Sequence, residues 1–277
     1  MSIYEQPSNI FRKNIVFGTV PIGDPGDASL NLIHHLNNAD IILVETHSQF
    51  SRLVSGIRAF VIKHNFGVIL EPRAVIYQYN LMDGFDKINH VNQLILDEAV
   101  YNNKKVIVVS DEGYSNFMDP GDFLKEEIIK RGLEFQTLPG PSAIISTVAH
   151  SHGLIGEFFF SCDPSVIVPE NKITYFTKIK NMNVPTVFTL NPTTARTSFE
   201  ELKSVFGNDF YVDFSMNLTR PNEEHVRGSF DDAIKYIDSN YDRFHRDTED
   251  DRYTVILFPT EYKQQSIEFD YHKGRDN

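Results

Sequence analysis

Short apolar runs alternate with amphipathic stretches from residue 14 onward, and this rhythm restricts the chain to few architectures. The runs are "NIVFGT" (14–19), "ADIILVE" (39–45), "RAVIYQY" (73–79), "KKVIVVS" (104–110) and "LEFQTL" (133–138), all rich in Val, Ile and aromatics. Between them, "ASLNLIHHLNN", "SQFSRLVSGIRAFVIKHN", "KINHVNQLILDEAVYN" and "DFLKEEIIKRG" carry apolar residues at three- and four-residue spacing. Strands alternating with helices of that length imply a largely parallel sheet covered on both faces. Near 155–169 the rhythm changes at "EFFFSCDPSVIVPE", and a second alternation with more strand character follows. The expectation is therefore α/β, with two α/β domains: a mostly parallel one over 13–154 and one with a mixed sheet over 157–262. The boundary is placed near Leu154–Glu157, and 263–277 reads as a tail with room for one edge strand.

The 277 residues are 41% apolar, enough to fill real cores, and no apolar stretch approaches the roughly 20 residues that cross a bilayer. The opening "MSIYEQPSNIFRKN" has neither an apolar h-region nor a small-residue cleavage site, so a soluble, cytoplasmic protein with no membrane partner is expected. A single Cys162 excludes an intramolecular disulfide framework and a Cys-based zinc site; its flanks, "FFFS" and "DP", suggest burial. His34 and His35 sit mid-helix and His150 and His152 near a helix end, none with H-E-x-x-H spacing, so no metal is expected. The formal net charge is −12, and the acidic "DTEDDR" at 247–252 reads as a solvated loop. Nonspecific attraction to nucleic acid is weak overall, although a local basic face remains open.

In an α/β sheet, ligands gather outside the carboxyl ends of the strands, which directs attention to four loops. "TVPIGDPGD" (19–27) has the Pro and Gly of a close backbone approach but neither the G-x-G-x-x-G nor the P-loop spacing. "VETHSQ" (44–49) brings Glu45 to a strand end. "VVSDEGYSNFMDPG" (108–121) inserts glycine and acid between a strand and a helix, with Asp119-Pro120-Gly121 read as the helix start and Asp119 as its cap. "LPGPSAIIS" (138–146) forces a turn before Ser142 can cap a helix.

Taken in order, "VPIGDPGD", "VSDEGYSNFMDPG" and "LPGPSA" resemble the loop motifs of the tetrapyrrole methylase superfamily, in its ribosomal RNA small-subunit methyltransferase branch. "NADIILVE", "GLIGEFFFSCDPS" and "LTRPNEEHVRG" extend the resemblance over roughly 13–260. The resemblance implies a homodimeric, two-domain methyltransferase whose S-adenosylmethionine lies between the domains, gripped largely by backbone atoms. By position in the family pattern, cofactor contact falls to Pro21, Ile22, Gly23, Asp111, Gly113, Tyr114, Met118, Ser142 and Ala143, with Leu190 and Asn191 as the adenine wall. Glu45 and Asn80 are the candidate catalytic residues. The polar residues expected to face the acceptor depart from the pattern: "ETHS" keeps Glu45 alone, "YQYN" keeps only Asn80 and places Tyr77 and Tyr79 where the family has histidines, and "NPTTAR" carries an insertion. Three readings stay open: an RNA ribose 2′-O-methyltransferase, partnered by RNA or the ribosomal subunit; a methyltransferase of this fold acting on a small molecule, peptide or protein; and a non-catalytic cofactor-binding relative. The first needs Arg52, Arg58, Lys63, Arg73, Arg196 and Arg220 to form a basic groove.

Overall fold

The structure is a computed structural model that describes residues 12–78, 84–151, 156–240, 242 and 252–260. Its contacts divide the chain into two units, Met1–Ser142 and Ala143–Asn277. In the first unit the strands are β1 (Ile15–Phe17), β2 (Thr19–Val20), β3 (Ile41–Val44), β4 (Val75–Gln78), β5 (Val106–Val109), β6 (Gly113–Tyr114) and β7 (Gln136–Thr137). Its helices are α1 (Leu30–Asn38), α2 (His47–Lys63), α3 (Phe85–Val100) and α4 (Gly121–Lys130). The main sheet runs β4-β3-β5-β1-β7, and each neighbouring pair is parallel.

Alternation along these strands explains the two-sided cover. Val16, Ile42, Val44, Ile107 and Val109 join one buried cluster with Leu32, Leu36, Val54 and Ile57 of α1 and α2. Their neighbours Ile15, Phe17, Ile41, Leu43, Val106 and Val108 join the opposite one with Ile95, Leu124 and Ile128 of α3 and α4. A period of two thus sends successive side chains into different cores, which is why both positions must be apolar. Caps set the helix starts: the Ser29 hydroxyl accepts from Leu32 N at 3.0 Å, and Thr46 does the same for Gln49 N at 3.4 Å.

The second unit opens with α5 (Ala143–His150) and continues through β8 (Phe159–Ser161), α6 (Pro169–Met182), β9 (Thr186–Leu190), α7 (Ala195–Phe206), β10 (Phe210–Met216), β11 (Glu224–Gly228), α8 (Phe230–Ser239) and β12 (Tyr253–Pro259). Its sheet is mixed, in the order β11-β10-β12-β9-β8, with only β8 and β9 parallel. One face packs Phe188, Phe214 and Leu257 on Phe176, Phe199 and Phe230 of α6, α7 and α8. The other face packs Val187, Ile256 and Phe258 on Ile144 and Val148 of α5.

The division falls upstream of the expected boundary near Leu154–Glu157. The reason is α5: its apolar side chains pack on the second sheet, and the Thr147 and Thr254 hydroxyls are 2.6 Å apart in that contact. Leu154 itself and the 263–277 tail lie outside the described residues. Among the described residues, no helix is long and apolar enough to cross a membrane.

Candidate functional site

In the first unit, three loops after strands are tied into one surface. β2 pairs antiparallel with β6, with Thr19 opposite Tyr114 and Val20 opposite Gly113, which joins the 19–27 loop to the 110–121 loop. Gly18 N donates to Val108 O at 2.8 Å, and the buried Ser115 hydroxyl lies 2.9 Å from Val108 O and 3.2 Å from Gly18 O. Thr19 Oγ1 donates to Leu138 O at 2.5 Å, and Gly140 N donates to the Tyr114 hydroxyl at 3.3 Å, which attaches the 138–142 loop.

The glycines in these loops serve different ends. At Gly140 an added Cβ would fall 2.8 Å from Thr19 Cβ, so this glycine permits loop to pack on loop rather than opening a path to a ligand. Gly113 has a left-handed φ of 69°, and an added Cβ would meet only Ile22 Cγ2 at 3.8 Å. Its constraint is therefore conformational rather than steric: the position is buried, but the added atom would make only an ordinary contact. Met118 holds a φ of 60° without being glycine, with its N–H donating to Asp122 Oδ2 at 2.7 Å; such local strain is a feature of ligand-binding loops.

Carboxylates converge behind these loops. Asp111 accepts from Thr46 N at 3.2 Å and from Thr46 Oγ1 at 3.0 Å, which fastens the 110–121 loop to the start of α2. Glu45 accepts from Asp111 N at 3.3 Å. Glu45 and Asp119, with Ser110, Ser115 and Gly121, line a cavity of about 10 Å³, the scale of a single water. Asp119 is pushed up to about 8, chiefly by burial and then by the negative charges of Glu45, Asp122 and Asp111, against a hydrogen bond from Ser110. Its carboxyl is therefore neutral at pH 7.

This corrects the reading of Asp119 as a helix cap. Pro120 occupies the N-cap position of α4 with no side-chain capping bond. Asp-Pro-Gly is a turn signature that conceals the role of a buried acid. Thr46 and Ser115 also escaped sequence reasoning, because their partners lie on other loops.

The remaining candidates fall as follows. Pro21 and Ile22 are buried just after β2, and Gly23 is partly exposed. Ser142 ends the first unit, and Ala143 opens α5 in the second. Leu190 and Asn191 belong to the second unit, where Leu190 ends β9 in the core and the Asn191 carboxamide accepts from Thr193 N at 2.9 Å. Asn80 and Tyr79 lie outside the described residues, and Tyr77 packs against the α3–α4 cluster. Among the expected basic residues, Arg58 donates to Leu70 O at 2.6 Å, Arg73 pairs with Glu71 at 3.7 Å, and Arg196 pairs with Asp238 and Glu200, each at 2.7 Å.

The sequence pattern of the Tetrapyrrole (Corrin/Porphyrin) Methylases matches residues 15–234, from β1 into α8. The chain belongs to this family. It is accordingly a methyltransferase of the tetrapyrrole methylase family, whose methyl donor is S-adenosylmethionine. The "Ribosomal RNA small subunit methyltransferase I" of Thermotoga maritima is 27% identical over 226 residues, covering 82% of this chain and 92% of that relative. Among solved structures, a cobalt precorrin-4 methyltransferase of cobalamin biosynthesis superposes with a TM-score of 0.59 at 16% identity, over 88% of this chain and 95% of its own. The uroporphyrin-III C-methyltransferase of Thermus thermophilus, complexed with S-adenyl homocysteine, gives 0.55 at 13% identity, over 87% and 95%. These two likenesses concern the fold.

The tetrapyrrole methylase donor is compatible with the loops described. S-adenosylmethionine carries a positive sulfonium, and the carboxyl groups of Glu45 and Asp111 are acidic groups among these loops.

Proposed function

We propose that this methyltransferase modifies a ribose 2′-hydroxyl of small-subunit ribosomal RNA, and that its donor site is built on Pro21, Ile22, Gly23, Asp111, Gly113, Tyr114 and Met118. Ser142 belongs to the site in this reading, and the chain acts as a homodimer. The observation that carries the acceptor is the reach of the similarity to the Thermotoga maritima relative: it spans 92% of that protein rather than the donor loops alone.

When bound, S-adenosylmethionine supplies an electrophilic methyl group. The chain must align the acceptor hydroxyl with it, exclude water and receive the hydroxyl proton. Glu45, partly buried at the end of β3 and hydrogen-bonded by Asp111 N–H, is the proposed proton acceptor, and Asn80 the proposed orienting group. Tyr114 braces two donor loops through its contact with Gly140 N, which gives a structural reason for a large residue at this position.

The test is incubation of the protein with methyl-labelled S-adenosylmethionine and unmodified small ribosomal subunits. Label recovered from the RNA as a 2′-O-methylnucleoside is the expected result; RNA that stays unlabelled contradicts the acceptor assignment. A second reading, a small-molecule acceptor, is favoured by one observation. Arg196 and Arg73, two members of the basic groove, are already paired with carboxylates. Label passing to a low-molecular-weight fraction would select it.

A further inference from the structure

The β10–β11 edge of the second unit carries a cluster of side chains that the methyl-transfer reading does not use. Ser215 and His225 are cross-strand partners, as are Asp213 and Arg227, so all four project from the same face of the strand pair. This is the face opposite Phe214 and Met216, which point into the α6–α8 core. Arg227 Nη2 donates to His150 O at 3.0 Å and thereby holds the last turn of α5 over this edge. The His150 ring consequently stacks on His225, with centroids 3.7 Å apart and an interplanar angle of 18°.

The third member is Glu223. Its Oε1 lies 2.8 Å from His225 Nε2, and its Oε2 accepts from Thr219 N at 2.6 Å. One donor atom from each of His150, Glu223 and His225 lies within 4.8 Å of the other two. We infer that His150, Glu223 and His225 form a binding site for a divalent transition-metal ion of the zinc class.

Two features support this inference. Two imidazoles and one carboxylate are a borderline donor set that suits zinc, with a fourth position left for water. Each ligand is also held from behind. The Ser215 hydroxyl lies 3.0 Å from His225 Nδ1, which can accept that N–H and leave the Nε2 lone pair facing Glu223; Thr219 N–H orients Glu223; and Arg227 fixes the helix end bearing His150. Binding requires the exposed His150 ring to turn out of its stack on His225, because each ligating lone pair lies in its own ring plane and the two planes are 18° apart; the donor atoms, within 4.8 Å of one another, then close to the roughly 3.3 Å of a tetrahedral zinc site.

The predicted ion would staple α5, the helix that begins directly after Ser142, to the sheet edge. The sequence expectation of no metal rested on spacing within one helix, whereas these ligands come from a helix end and a distant strand.

The test uses the full chain, stripped with chelator and titrated with Co²⁺ as a spectroscopic probe and Zn²⁺ as its competitor. Binding of one equivalent, with visible absorption of a four-coordinate site that Zn²⁺ abolishes, is expected. His150→Gln, at an exposed helix end, should weaken binding at least tenfold without unfolding the chain, and Ser215→Ala roughly ten- to a hundredfold. Absence of binding at micromolar metal, or equal binding by wild type and His150→Gln, overturns the proposal.

Discussion

Gly121→Ala is expected to destabilise the first unit by about 3 kcal/mol or more, enough to lower the urea midpoint markedly. The cause is steric. A Cβ at Gly121 would lie 1.8 Å from Ser115 O and 2.9 Å from Ser115 C, and these are backbone atoms that no rotamer change can move. Ser115 cannot retreat, since its hydroxyl bridges the ends of β1 and β5 through Gly18 O and Val108 O. Relief therefore requires shifting either the α4 start or the 110–121 loop. The matched control is Gly156→Ala, where an added Cβ meets nothing within 4 Å and φ is not left-handed; its midpoint should stay within about 0.5 kcal/mol of wild type. Equal midpoints for Gly121→Ala and Gly156→Ala would refute the packing argument.

Asp119→Asn should remove a loss of stability that the wild type suffers as pH rises from about 4 to about 8. The Asp119 carboxyl is raised from the ordinary aspartate value to about 8, first by burial and then by Glu45, Asp122 and Asp111. Between pH 4 and 8 the folded chain holds a proton at this site that the unfolded chain releases, so the wild type loses stability as pH rises through that window. Each unit of pH fully inside it is worth about 1.4 kcal/mol at this one group. Asparagine keeps the shape, stays neutral and removes this dependence. The melting temperature of Asp119→Asn relative to wild type should therefore climb from pH 5 to pH 8 and level off above. A difference that is flat with pH would show that the carboxyl is ionised in the folded state.

Much of the architecture was readable because strands buried on both faces demand unbroken apolar runs such as "VIVV", and because helices announce themselves through period and caps. The site was readable only in outline. Gly113 and Asp111 stand out in a loop after a strand, but the antiparallel pairing of β2 with β6 involves two residues on each side and leaves no periodic trace. Asp119 was hidden by its Pro-Gly neighbours, whose turn chemistry suggested a cap, while its surroundings join its own loop to Glu45 at the distant end of β3. The division by contacts falls at Ser142 rather than near Leu154–Glu157 for a related reason. "AIISTVAH" is apolar enough to belong to either core, and only its contact with β12 and β9 assigns it. His150 and His225 illustrate the same limit, since a cross-strand register and a helix end bring them together without any local motif.

The donor site is tested most directly by calorimetric titration of S-adenosylmethionine onto the wild type, Gly113→Val and Asp111→Ala. The wild type is expected to bind one equivalent per chain. Gly113→Val should lose binding, because a β-branched residue cannot readily hold the φ of 69° on which the β2–β6 pairing depends. Asp111→Ala should lose it as the loop detaches from Thr46. Unchanged affinity in both variants would place the methyl donor elsewhere on the chain.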